Sequence, residues 1–302
     1  MQAMILAAGL GTRLRPHTLL RPKPLFPVLD RPLLGRIIDD LRRAGCRRLV
    51  VNAHHLRQQI SSALAGEPDV DLQLEDSELG TGGGLRLARP RFDEQPVLVV
   101  NGDIFHDIDY RRVMAHHLRE GNDATLVLHD RPPFNKVQTD ADDNILSFTD
   151  SARSSAVPLA FTGIQVINPA LLELIPPGVF YHSIDWYRRL IELGRRVRGL
   201  TVNGHFWSDM GTPEDYLALH EKLLTGPQSP LETGGRQPFF LGTNVRRGRG
   251  GEFADWVAVG SNAVLGDGVS LRRCVVWDRV EVPAGTVAED RIFSQNSFSG
   301  NR

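Results

Sequence analysis

The hydrophobic pattern of this chain changes period part-way along, and that change bounds the folds open to it. Over roughly the first 220 residues, short apolar runs alternate with segments of helical spacing. Residues 3–6, 48–52, 70–74, 97–100, 124–128 and 161–167 read as strands. Residues 32–44, 55–65, 82–88 and 184–193 read as helices, the first with Leu34, Ile37, Ile38 and Leu41 on one face and Gly45 in the C-terminal position. The run VLVV at 97–100 is continuously apolar, as a central parallel strand covered on both faces requires. Strand–helix alternation of this kind predicts an α/β fold with a doubly wound, Rossmann-like mixed sheet. Ligands of such sheets bind at the C-terminal ends of the strands.

The tail follows another rule. Val259, Leu265, Leu271 and Trp277 recur every six residues, and Ala263, Val269 and Val275 recur at the same interval. A six-residue period predicts a parallel β-helix, and the pattern resembles the left-handed β-helix of hexapeptide repeats; a pair of ordinary hairpins is the alternative. About two turns make little core of their own. The tail must therefore pack on the main domain or on another subunit, and the second arrangement would be a homo-oligomer. Before the tail, GTPEDYLALHEKLL opens a helix with Thr212 at the N-cap, Pro213 at the first helical position and Asp215 in the capping-box place. The expected division is a first domain over 1–224, a Gly-, Pro- and Arg-rich linker over 225–252 with an apolar island at 239–241, and the short β-helix over 253–302.

Composition narrows the function. A net charge of -1 over 302 residues gives no overall attraction to nucleic acid or to a membrane surface, so any anion site must be local. Two distant cysteines, Cys46 and Cys274, form neither a metal knuckle nor a disulfide framework. No apolar run approaches the ~20 residues of a membrane-spanning helix. The N-terminus MQAMILAAGL lacks a basic leader and reads as a strand, so a reduced, cytoplasmic setting is expected. His54, His55, His116 and His117 fall on helix-like segments and are expected at the surface without a role.

One stretch concentrates small residues and cations: LAAGLGTRLRPHTLLRPKP, residues 6–24. It is neither a Walker loop nor the dinucleotide fingerprint, because Gly-Lys-Ser/Thr does not follow and Leu14 holds the third glycine place. The logic is related. Ala7, Ala8, Gly9 and Gly11 let a ligand touch backbone, and successive N–H groups form an anion nest. Thr12 and Arg13 add a hydroxyl and a guanidinium fork suited to phosphate oxygens. Lys23 stands between two prolines in a chain whose cations are almost all arginine; only Lys23, Lys136 and Lys222 are lysines. On composition, a solvated turn lysine and a working point charge stand level.

The pattern GLGTRLRP at 9–16 followed by PKP at 22–24 resembles the signature of the sugar-1-phosphate nucleotidylyltransferases. The similarity continues through DRPLL at 30–34, LGTGGGL at 79–85, VNGD at 100–103, FTGI at 161–164 and WSDMGTPEDY at 207–216. It covers about residues 1–224, and SLRRCVVWDRVEV at 270–282 resembles the short β-helix of many mannose-1-phosphate guanylyltransferases. The resemblance implies transfer of a nucleotidyl group from an NTP to a sugar 1-phosphate with Mg²⁺, the metal held by Asp103 and Asp209. It implies that Arg13 holds the triphosphate and that Lys23 contacts the sugar phosphate and the α-phosphate. Leu6, Ala8, Gly9, Gly11, Thr12, Arg13, Gly82 and Gly83 would bind the nucleotide, with backbone reading the base. Asp150, Thr162 and Gly163 would face the sugar. The Glu-Lys-Pro of many relatives is replaced by Phe148-Thr149-Asp150. That replacement, with LGTGGG and VNGD, resembles the N-acetylmuramate-1-phosphate uridylyltransferases, whereas the tail resembles the mannose or heptose guanylyltransferases. No general base is needed, since the attacking phosphate oxygen is already ionised.

Two other functions compete. A glycosyltransferase of related fold could use Asp107 and Asp109 as its metal-binding Asp-x-Asp. A regulatory subunit could bind a nucleotide sugar without turnover, but such a chain should lose Lys23, Asp103 or Asp209, and all three are present.

Overall fold

The apolar runs at the ends of the first three βα units become the centre of one large mixed sheet. In the computed structural model, which describes residues 1–148, 157–227, 229–230 and 238–294, strands Val97–Asn101, Gln2–Leu6, Arg48–Ala53 and Val70–Leu74 lie side by side in parallel. Leu159–Ile167 runs antiparallel to Val97–Asn101 and to Ala124–His129, and Val197–Val202 pairs in parallel with Ala124–His129. Asn135–Thr139 and Ile145–Ser147 extend the other edge, giving nine strands. Met4, Val50, Val97, Val99 and Leu126 are fully buried, which is why their segments read as unbroken apolar runs.

The helices are α1 (Leu33–Arg43), α2 (Arg57–Leu64), α3 (Gly80–Ala88), α4 (Tyr110–Glu120), α5 (Ser183–Glu192) and α6 (Pro213–Thr225). Leu85 and Ala88 of α3 and Trp186 and Leu190 of α5 fill the core over the sheet. The helix expected from residue 55 begins at Arg57, because Leu56 takes a left-handed conformation with φ 48°. His117 departs from expectation. It lies on the inner face of α4, buried, with Nδ1 2.9 Å from Thr125 Oγ1 and Nε2 3.3 Å from Asn168 Oδ1.

The chain divides into two compact units. The first comprises Met1–Leu10, Ile37–Gly102 and Ile108–Trp207, and holds the large sheet; the second comprises Gly11–Arg36, Asp103–Asp107 and Ser208–Arg302. The continuous first domain expected over 1–224 is thus broken: the cation-rich segment after Leu10 belongs to the unit that carries the tail.

In the second unit, short strands stack in parallel. Phe239–Leu241 pairs with residues 257–259, these with 274–276, and these with Ile292–Phe293. A second stack joins Arg246–Arg247, Val264–Leu265 and Glu281–Val282. Each partner lies 17 or 18 residues further along, about three hexapeptides, a spacing that fits a coil. The expected linker over 225–252 is too long. Strands at 239–241 and 246–247 already belong to the coil, and the glycine-rich composition is that of coil corners. A Cβ on Gly248 would stand 2.4 Å from Asp267 N, and one on Gly251 2.6 Å from Val269 O. Within this unit the stacked strands pack on α6. Among the described residues, no helix is long and apolar enough to cross a membrane.

Candidate active site

In the first unit, two glycine-bearing loops follow parallel strands. After Gln2–Leu6, the Ala7 N–H donates to Asn52 Oδ1 (2.7 Å), Ala8 is half-buried and Gly9 is exposed. The space where Gly9 would carry a Cβ is open, so this backbone is free to be approached. Leu6 is occupied at its carbonyl, which accepts the Gly102 N–H at 2.8 Å.

The second loop opens α3. Its Gly82 and Gly83 N–H groups both donate to the Tyr181 carbonyl, at 2.8 and 3.2 Å. A Cβ on Gly83 would lie 2.6 Å from Val179 O. These glycines therefore admit the 179–182 backbone, and their amides are already used at the helix N-terminus. Thr81 does not cap α3. Its hydroxyl accepts the Ser183 N–H (2.9 Å) and pairs with Ser183 Oγ (3.0 Å), at the start of α5.

Beneath these loops lies a polar group that sequence reasoning missed. Glu75 Oε1 accepts from Asn52 Nδ2 (2.8 Å) and Gln73 Nε2 (3.2 Å), and its carboxylate also accepts the Leu79 N–H. Gln73 Nε2 donates as well to Gly84 O (2.9 Å). Asn52 and Glu75 thus tie the Ala7 amide to the start of α3. Burial pushes the Glu75 carboxyl above its ordinary range, with the Asn52 and Gln73 donors acting in opposition. A polar residue inside an otherwise apolar strand, as in RLVVN, was the available signal.

The residues expected to face the sugar are arranged otherwise. Thr162 is fully buried, its hydroxyl donating to Val127 O (2.9 Å). Gly163, at φ 80°, sits in the bulge where Leu159–Ile167 slips register against Ala124–His129. Both therefore shape the strand. Asp150 lies outside the described residues.

The second unit gathers the charged residues. Gly11 has φ 60°, and a Cβ there would stand 2.7 Å from Thr18 Cγ2; Thr18 Oγ1 donates back to Gly11 O (2.9 Å). This glycine is needed for the turn itself. Thr12 and Arg13 follow on an exposed 3₁₀ turn. Lys23 opens another 3₁₀ turn after Pro22 and is buried, 7% exposed. Its Nζ lies 2.6 Å from Asp103 Oδ2 and 3.3 Å from Asp209 Oδ1. Asp103 follows the strand Val97–Asn101 in a turn, and its carbonyl accepts the Met210 N–H (3.3 Å), which fixes the two acidic segments together. Burial raises the Asp209 pKa, Lys23 lowers it and Asp103 raises it again. Arg13 also draws it down, and its guanidinium lies close to Gly211.

Lys23, Asp103 and Asp209 are thus brought together, with Arg13 close enough to act on Asp209. The group carries one cation against two carboxylates, and the Asp103 side chain is 36% exposed. Among the described residues no group of three or more His, Cys, Asp or Glu side chains could hold a metal. Two convergent carboxylates already holding a cation do fit Mg²⁺, which takes one or two protein carboxylates and completes its shell with phosphate oxygens and water. The rival Asp-x-Asp is spent in part: Asp109 caps α4, accepting the Arg111 N–H at 2.8 Å.

Comparison with known proteins gives the same direction. The family model described as Nucleotidyl transferase matches residues 2–226. Mannose-1-phosphate guanylyltransferase of Mycobacterium tuberculosis is 28% identical over 297 residues, covering 95% of this chain and 82% of the relative. UTP–glucose-1-phosphate uridylyltransferase of Synechocystis is 31% identical over 307 residues, covering 90% and 76%. Among solved structures, HddC from Yersinia pseudotuberculosis complexed with GMP-PN superposes with a TM-score of 0.63 at 23% identity, over 73% of this chain and 98% of that one, a likeness of fold.

Proposed function

The chain belongs to the nucleotidyl transferase family, and from that premise we infer that it transfers a nucleotidyl group from an NTP to a sugar 1-phosphate, forming an NDP-sugar and pyrophosphate. The observation that carries the reading is Lys23, a buried ammonium between Asp103 and Asp209 on the proline-flanked turn of the signature stretch. A buried lysine at 2.6 Å from one carboxylate and 3.3 Å from another is no solvated turn charge.

A sugar-phosphate oxygen, already anionic, forms the new bond to the α-phosphorus as the bond to the β-phosphate oxygen breaks. Two anions must meet, so preorganised positive charge does the work and no proton is moved. Arg13, exposed on its turn, offers a fork to the triphosphate. Lys23 stabilises charge on the α-phosphate and sugar phosphate. Ala8 and Gly9 offer open backbone to the nucleotide. Asp103 and Asp209 would hold Mg²⁺, which when bound neutralises phosphate oxygens.

For substrates we put GTP with mannose 1-phosphate first, since relatives of that name align over nearly the whole chain, tail included. UTP with glucose 1-phosphate is the second reading, carried by the Synechocystis relative at 31% identity; N-acetylmuramate 1-phosphate stays in the test because of the LGTGGG loop. The reading extends to a cytoplasmic location and to a left-handed winding of the tail, supported by its hexapeptide period. The deciding experiment scores pyrophosphate release for GTP, UTP, dTTP and CTP against mannose, glucose, heptose and N-acetylmuramate 1-phosphates with Mg²⁺. GTP with mannose 1-phosphate should give the highest kcat/KM. Silence across the matrix from folded protein would sink the assignment.

A further inference from the structure

We propose that the tail is a clamp for the catalytic lysine, and that Trp277 and Asp278 are positioning residues acting through Lys23; the inference rests on the role given to Lys23 above. The segment from His17 to Asp30 carries Lys23 and has little regular structure of its own, three-residue 3₁₀ turns and a two-residue strand. The tail grips it on both sides of the lysine. Before it, Arg21 Nη1 lies 2.7 Å from Asp278 Oδ1, and the Arg21 guanidinium stands 4.7 Å from the centre of the Trp277 ring. Both Arg21 and Asp278 are largely sheltered, so the pair is better placed than a solvated one. After it, the Phe26 ring meets Trp277 edge-on at 4.7 Å between centroids.

Trp277 is buried, and its Nε1–H donates to the Tyr216 hydroxyl (3.2 Å), which in turn donates to the Pro27 carbonyl. The outer ends are held too: His17 Nδ1 lies 3.1 Å from Ser294 Oγ, and Ser261 Oγ donates to Asp30 Oδ2 at 3.2 Å.

Between Arg21 and Phe26 the chain reads Pro22-Lys23-Pro24-Leu25. Two prolines fix φ on either side of the lysine, so a displacement of either anchor passes to Lys23 with little to absorb it. The prolines then make a rigid link between two anchors, and the lysine is the residue carried on it. A shift of about 1 Å in a charge that must meet two phosphates can cost on the order of a hundredfold in rate.

The test is a double-mutant cycle in steady-state assays with saturating Mg²⁺. Asp278→Ala, at a partly exposed position, should lower kcat about tenfold while KM for the NTP stays within twofold and Tm is nearly unchanged. Trp277→Leu, at a buried position, should lower kcat more strongly and lower Tm as well, and Trp277→Phe should recover part of the kcat loss. In a Lys23→Ala background, Asp278→Ala should cost less than twofold more, because the residue it positions is gone. Exchange of the pair, Arg21→Asp with Asp278→Arg, should restore at least half of the Asp278→Ala loss. An Asp278→Ala enzyme with unchanged kcat, or one whose tenfold loss persists in full on Lys23→Ala, overturns the clamp alone. A fully active Lys23→Ala enzyme overturns the catalytic assignment itself.

Discussion

Each unit of the molecule holds a polar cluster close to its loops, and the two are built in opposite ways. In the first unit Asn52, Gln73 and Glu75 are 2%, 1% and 2% exposed. Their hydrogen bonds run to each other and to the backbone of the loops that follow the strands. In the second unit Lys23, Asp103 and Asp209 meet as charges, and one carboxylate stays open to solvent. A cluster whose hydrogen bonds run to its own members and to nearby backbone holds shape. One with an excess negative charge and an exposed oxygen can take up a further ligand. Burial raises the carboxyl pKa in both, at Glu75 and at Asp209. A perturbed carboxylate by itself therefore does not separate bracing from chemistry; the partners do.

The contrast is sharpened most by removing charge from each cluster. Lys23→Ala should reduce kcat by roughly a thousandfold, about 4 kcal/mol of transition-state stabilisation, in the range found for preorganised donors. Asp209→Asn should lose on the order of a hundredfold, with far-ultraviolet circular dichroism unchanged for both. Glu75→Gln should keep turnover within a few-fold and cost about 1 kcal/mol of stability, since one acceptor oxygen remains. Glu75→Leu leaves the Asn52 and Leu79 donors and one of the two Gln73 side-chain N–H groups without an acceptor in the interior and should cost roughly 3 kcal/mol or more in denaturant unfolding. A Glu75→Gln protein that unfolds normally but fails to turn over would break the comparison, because it would make the brace part of the chemistry.

The parts of this architecture legible in the sequence are those whose physics leaves a period. Strands covered on both faces must be apolar throughout, and Val97–Asn101 reads that way. The coil must turn an apolar residue inward every sixth position, and Val259, Leu265, Leu271 and Trp277 are all buried. The capping box at Thr212 and Asp215 is present because two residues only three positions apart encode it. The prolines and the scarcity of lysine drew notice to Lys23 but left a solvated turn and a working charge level; its burial is what excludes the solvated turn.

What stayed hidden depends on neighbours distant in sequence. Gln73 sits in VDLQL, where alternation makes it an outward polar residue, yet it is buried at the loop ends. Arg246–Arg247 is a two-residue strand in a glycine-rich run, too short for any period to mark. Gly82 and Gly83 invited a ligand reading, but the backbone they admit is the chain's own. Lys23 could be singled out, but the grip of Trp277 and Asp278 on its segment could not, because the contacts join positions more than 250 residues apart.

A last effect concerns the framework behind the charged cluster, and it distinguishes the two units by pH. His220 lies fully buried on α6, where the sequence alone offers a helical histidine among charged residues. Its Nε2 accepts the Leu29 N–H (3.1 Å) and its Nδ1–H donates to the Tyr216 carbonyl (2.9 Å), so the fold uses the neutral ring. Burial brings its pKa down from 6.5 to about 4. The folded value lies below the unfolded one, so the stability it supports is complete above the unfolded value. It declines as pH falls below 6.5 and is lost in full once pH drops through about 4. At ~1.4 kcal/mol per unit, the loss by pH 4.5 should be roughly 2–3 kcal/mol. His220→Gln removes the titration and should unfold with a flatter pH dependence between 7 and 4.5 in urea titrations, though less stable at pH 7. Parallel pH slopes for the two proteins would show that the Leu29 turn does not depend on the neutral imidazole. A flatter slope, together with unchanged unfolding of the Asn52–Gln73–Glu75 region by hydrogen exchange, would place the acid-sensitive framework in the unit that carries Lys23.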